Sequence, residues 1–101
     1  MIKATVLYGH PVNIDVYEKY YNETHLPLMT KVQGIEKFEL TKFLPNPDGS
    51  AAAYYSMAEL YFAGSAEMQQ TLGSPEGKAM AADLSNFASG GVTILFGQVE
   101  S

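Results

Sequence analysis

The sequence predicts an α+β domain: a four-stranded antiparallel sheet with its helices on one face, in the order βαββαβ. Three observations predict it. Four segments carry apolar residues with the alternation or continuity of strands. Two stretches combine helix caps with an apolar period of a helix. Clusters of turn-forming residues separate these segments. At 101 residues the chain makes a single domain, 1–101, long enough for its own core and small enough to gain from self-association.

Ile2 to Tyr8 reads as the first strand, with Ile2, Ala4, Val6 and Tyr8 on one face and Lys3, Thr5 and Leu7 on the other. Gly9-His10-Pro11 turns the chain into a helix starting between Asn13 and Asp15, where Asp15 and Glu18 stand at capping-box spacing. At about 100° per residue, Val16, Tyr17, Tyr20, Tyr21, Thr24 and Leu28 share one helix face. His25 falls just past its rim, one turn after Tyr21. Pro27 lacks an N–H and pushes Leu26 away from helical geometry, so the helix is expected to break or bend there. His25 would then sit beside freed backbone carbonyls of residues 22 to 24.

Gly34 opens a second strand, Ile35 to Leu44, and Pro45 to Ser50 is a loop in which every residue forms turns. Ala53 to Phe62 follows as the third strand of a hairpin. Ser65 is expected to cap a short helix through Leu72. Ser74-Pro75-Glu76 starts another, with Ser as cap and Pro at the first helical position, burying Met80, Leu84 and Phe87. Val92 to Val99 is the last strand. The order is the ferredoxin-like split βαβ pattern. Neither side of the third strand is wholly polar, and Leu95 and Val99 oppose Ile94 and Phe96 in the last. A sheet wetted on one side alternates more cleanly, so the second face is expected to be covered by a second copy of the chain.

Composition narrows the function. The net charge is −5, with six lysines and no arginine, which argues against nucleic acid and anionic membranes as partners. There is no cysteine, hence no thiol catalysis and no iron–sulfur cluster. No signal peptide and no membrane-length apolar run are read, so a soluble cytoplasmic protein is expected.

His25 admits three readings: an imidazole bonded to backbone at a helix corner, a titratable group at the mouth of a pocket, or a metal or haem ligand. His10, beside a proline in a turn, is expected to be exposed. Glu39 and Glu59 would add a second carboxylate only if they face the cavity. Otherwise they are rim or solvent acids.

Tyr20-Tyr21-Asn22-Glu23-Thr24-His25-Leu26-Pro27-Leu28, following Met-Ile-Lys and Leu7-Tyr8-Gly9, resembles the EthD family, as do Ser74-Pro75-Glu76-Gly77 and Asp83-Leu84-Ser85-Asn86-Phe87. The resemblance runs over nearly the whole chain. It implies a dimeric α/β barrel in which two ferredoxin-like subunits press their sheets together. It also implies an association with oxidative ether or xenobiotic degradation, and kinship with cofactor-free monooxygenases, isomerases and cyclases. His25 carries over from the motif, with Tyr20, Tyr21 and Pro27.

The expected site therefore has His25 and Tyr21 as catalytic groups, with Tyr20, Thr24, Leu28 and Tyr8 contacting a small apolar, oxygen-bearing molecule between helix and sheet. No metal and no cofactor are expected. A non-catalytic carrier or accessory subunit is the alternative, and haem held by His25 a third. Asp83 is read either as part of the site or, more simply, as a carboxylate tethering its helix to backbone.

Overall fold

The computed structural model describes residues 1–100. Strands β1 (Ile2–Tyr8), β2 (Lys37–Lys42), β3 (Ser56–Phe62) and β4 (Val92–Gln98) form one sheet in the order β2-β3-β1-β4, with every pairing antiparallel. The helical elements are α1 (Ile14–Tyr20), a π-helical turn (Tyr21–His25), α2 (Leu26–Thr30), α3 (Ser65–Leu72) and α4 (Pro75–Phe87). This is the predicted α+β architecture. β2 and β3 are shorter than the sequence suggested, and the hairpin loop is correspondingly longer.

Local chemistry fixes the helix ends. Asn13 caps α1, its side chain accepting from the Val16 N–H at 3.0 Å. Ser74 caps α4 in the same way through the Gly77 N–H at 3.1 Å, with Pro75 in the first turn. A Cβ on Gly77 would lie 2.2 Å from the Thr71 carbonyl oxygen, so only glycine lets α4 start against the end of α3. The cap expected at Ser65 is not made. Gly64 takes the extended capping backbone, and no side chain caps α3.

Pro27 does not break the helix. Leu26 is right-handed helical at φ −58, ψ −43, and its N–H reaches back five residues to the Tyr21 carbonyl. A π turn just before the proline shifts the carbonyl that its ring would strike, and leaves Pro27 in the first turn of α2, where no N–H is needed.

The core lies between the two central strands and the helices. Ala4, Val6 and Tyr8 of β1 and Ala58, Leu60 and Phe62 of β3 are buried under Tyr17, Tyr21, Met29, Met80 and Phe87. The edge strands project beyond this cover: β2 is largely exposed and β4 entirely so. On the sheet's other face Lys3 pairs with Glu59 at 2.6 Å, and the Tyr61 hydroxyl donates to Glu39 at 3.0 Å. Glu39 and Glu59 thus lie on the side away from the helices.

Candidate functional site

Tyr17, Tyr21, His25 and Met29 are spaced by four, and all are buried. In an α-helix four residues overshoot a turn by about 40°, so three such steps would rotate Met29 well off the face of Tyr17. The wider π turn takes up this drift. It also carries His25 from the expected rim into the interior, at 2% exposure, and turns Thr24 to solvent.

The imidazole does not bond the backbone carbonyls. His25 Nδ1 lies 3.0 Å from Asp83 Oδ2. Asp83 Oδ1 accepts from the Tyr20 hydroxyl at 2.6 Å and from Asn86 Nδ2 at 3.0 Å. Asp83 therefore bonds three side chains, where a backbone tether was the simpler expectation. Burial pushes its carboxyl pKa up, but the donors Tyr20, Asn86 and His25 outweigh this and hold it below the ordinary 3.8. An ionised carboxylate only accepts, so Nδ1 carries the proton. The same His25 ring lines a cavity.

That cavity measures about 150 Å³ and lies between sheet and helices. Ala4, Val6, Tyr8, Ala58 and Leu60 make its floor. His25 and Met29 close it from the π turn and α2, and Met80 and Leu84 from α4. Its walls are almost wholly hydrocarbon, broken by the imidazole and the Tyr8 phenol. Two other depressions are open to solvent. One, of about 270 Å³, runs between α1 and the end of α4 past Val16, Tyr20 and Asn86. The other is polar, with Glu36, Glu67 and Glu76. Neither reaches His25. Among the described residues, no three His, Cys, Asp or Glu side chains converge as a metal site.

An aromatic cluster backs the imidazole. Its ring centroid is 4.7 Å from Phe87 and 5.2 Å from Tyr21. Tyr8 meets Tyr21 edge-on at 5.9 Å. The Tyr21 hydroxyl is buried without a hydrogen-bond partner, although it neighbours that of Tyr8. Burial, reinforced by the adjacent phenols, pushes the pKa of both far up, and that of Tyr17 up to about 12. These phenols stay neutral and act as hydrogen-bond donors and acceptors rather than bases.

Of the expected site residues, His25 and Tyr8 line the cavity, and Tyr21 stands behind them against both rings. Tyr20 does not reach the cavity, and its hydroxyl holds Asp83. Thr24 points to solvent, and Leu28 is half-buried away from the cavity lining. Both had been placed inward by a 100° spacing that the π turn interrupts. His10 is exposed and bonds the Ala52 carbonyl at 2.7 Å. Asp83, weighed between the site and a backbone tether, has side-chain partners that the sequence did not show. It sits three residues after Met80 and four before Phe87, a carboxylate inside an apolar helical stripe, and that position was its signal.

The EthD domain model matches residues 11–91. The chain is 39% identical to the uncharacterized 11.0 kDa protein in the thcB-thcC intergenic region of Rhodococcus erythropolis, over 100% of this chain and 97% of that one. It superposes on the crystal structure of an EthD family protein of Bacillus halodurans C-125 with a TM-score of 0.92 and 30% identity, covering 99% of both. It also superposes on a dimeric protein of unknown function and ferredoxin-like fold from Bacteroides fragilis, with a TM-score of 0.68 and 16% identity over 97% of this chain and 95% of that one. The last likeness bears on the fold alone.

Proposed function

The chain belongs to the EthD family, and we propose that its apolar cavity beside His25 binds and converts a small, uncharged, largely apolar molecule bearing an oxygen. His25 moves the proton. The observation that carries this reading is the buried His25–Asp83 pair at 3.0 Å, with the same imidazole forming part of an apolar cavity wall. Asp83 fixes the tautomer and supports the cation that forms when Nε2 takes a proton. Tyr8, kept neutral by burial, donates to the substrate oxygen, and Tyr21 backs it. Isomerisation and ring closure need only this proton transfer, cofactor-independent oxidation needs dioxygen as a co-substrate as well, and ethers and related xenobiotics match the apolar lining. A cavity of about 150 Å³ is too small for a porphyrin, which disfavours haem.

The test is conversion of small ethers, alcohols and ketones followed by NMR. Wild-type protein is expected to convert at least one. His25→Gln should slow that conversion by roughly a hundredfold or more, the usual weight of a general acid–base group. Equal rates would remove His25 from the chemistry. A carrier role is the second reading, favoured by a lining that is hydrocarbon apart from one imidazole and one phenol. It predicts ligand-induced shifts with conversion by neither protein.

The partner we propose is a second copy meeting the open sheet face, where Leu7, Met57 and Leu95 lie among the Lys3–Glu59 and Tyr61–Glu39 pairs. Sedimentation should give a dimer, and Met57→Lys should shift it toward monomer. Among the described residues, no helix is long and apolar enough to cross a membrane, in keeping with the proposed cytoplasmic location.

A further inference from the structure

β4 carries a contradiction between its face and its exposure. Val92, Ile94 and Phe96 pair with Tyr8, Val6 and Ala4 of β1, and so point to the helix side of the sheet. Their β1 partners are 1%, 8% and 4% exposed, whereas they themselves are 39%, 43% and 58% exposed. The helices end short of β4. Yet Ile94 and Phe96 also line the cavity that holds His25. They form its unroofed side, each lining the cavity while remaining about half exposed.

The size of the cavity sets a second constraint. About 150 Å³, with Ile94 and Phe96 in the lining, is the size at which apolar protein cavities take up a single benzene ring. The Tyr8 phenol lines the site where β1 pairs with Val92. Phe96, opposite Ala4, lies four residues farther along, about 13 Å at strand rise. A ring-sized ligand beside Tyr8 leaves the exposed parts of Ile94 and Phe96 wet.

We infer that the ligand is an uncharged amphiphile longer than the cavity: a ring-sized or branched head beside His25 and Tyr8, and an apolar tail lying over Ile94 and Phe96. These two β4 side chains then select for tail length. Among the described residues no lysine lines the cavity or this strip, so a fatty acid or other anionic amphiphile finds no permanent cation there. The inference rests on the cavity reading above, and adds a tail subsite outside the roofed volume.

The probes are phenol, 4-butylphenol and 4-hexylphenol, titrated into wild-type protein and into a variant with Ile94→Ser and Phe96→Ser, both solvent-facing positions. Side-chain NMR signals of His25 and Phe96 report binding. A fully buried methylene contributes ~0.8 kcal/mol, or about fourfold in affinity. A methylene half removed from water should give about twofold, so the six carbons of 4-hexylphenol should make it bind wild type on the order of sixtyfold tighter than phenol. Its tail should move the Phe96 ring. In the double variant the ratio between the two ligands should fall to about threefold or less.

If phenol moves His25 but affinity stays flat along the series, the tail subsite is wrong and the cavity reading stands. If the ratio survives in the variant, the tail lies elsewhere and the assignment of Ile94 and Phe96 is overturned. If no member binds, both readings fall. Sedimentation of the variant completes the test: dissociation of a dimer by Phe96→Ser would make the strip a subunit contact and overturn the subsite.

Discussion

The two faces of the sheet each carry a tyrosine hydroxyl bonded to a carboxylate, and only one of them is built for chemistry. On the helix side, a half-buried Tyr20 donates at 2.6 Å to the buried Asp83, which also meets the buried His25 and accepts from the exposed Asn86. On the open side, Tyr61 donates to Glu39 at 3.0 Å, and Lys3 meets Glu59 at 2.6 Å. The bonds are alike and the surroundings are not. On the open face water screens the charges and replaces a lost partner. Asp83 itself is only 7% exposed, so its charge depends on the donors Tyr20, Asn86 and His25. An ionised Asp83 in turn keeps the proton of the neutral His25 ring on Nδ1.

The sharpest way to break this comparison is to remove the carboxylate. Asp83→Ala leaves His25 and Asn86 without their buried acceptor and should cost about 2–4 kcal/mol, read by urea unfolding. A loss under ~1 kcal/mol would mean the site is as wet as the open face. Acid denaturation separates charge from packing. Because folding lowers the Asp83 pKa below 3.8, its contribution is fully present above about pH 4. It is lost as pH falls through the lower folded value. The stability gap between wild type and Asp83→Asn should therefore narrow below pH 4, and a gap that widens there contradicts the assignment.

Tyr20→Phe and Tyr61→Phe compare the two faces directly. Tyr20→Phe should lower the midpoint of thermal unfolding and perturb the His25 ring signals, whereas Tyr61→Phe should leave the His25 signals unmoved in NMR spectra. Equal responses would erase the distinction between the faces. The smallest effect is expected at Thr24: Thr24→Ala should leave phenol affinity within about twofold, and a larger loss would place Thr24 back at the ligand.

The fold was legible because its signals are local. Alternation in Ile2–Tyr8, the turn formers from Pro45 to Ser50, and Ser74-Pro75 at a helix start each specify an element without reference to the rest. His25 was legible as the one histidine in a helix with an aromatic face. Its depth was not. A wheel drawn at a constant angle turns Thr24 inward and His25 to the rim, and the π turn that reverses them depends on how the helix meets Pro27. Asp83 marked itself by interrupting an apolar stripe, but its partner came from another helix, 58 residues away in sequence. Ile94 and Phe96 read as ordinary strand residues, because where the helix layer stops is a property of packing and not of any one segment.

The account turns on His25 donating from Nδ1 to an ionised Asp83 and presenting Nε2 to the cavity. Long-range proton–nitrogen NMR of the neutral His25 ring tests this directly. The expected result is a protonated Nδ1 and a bare Nε2 whose signal moves on adding phenol, with the tautomer preference weakened in Asp83→Asn. A ring protonated on Nε2, or an Nε2 signal indifferent to phenol, would contradict it.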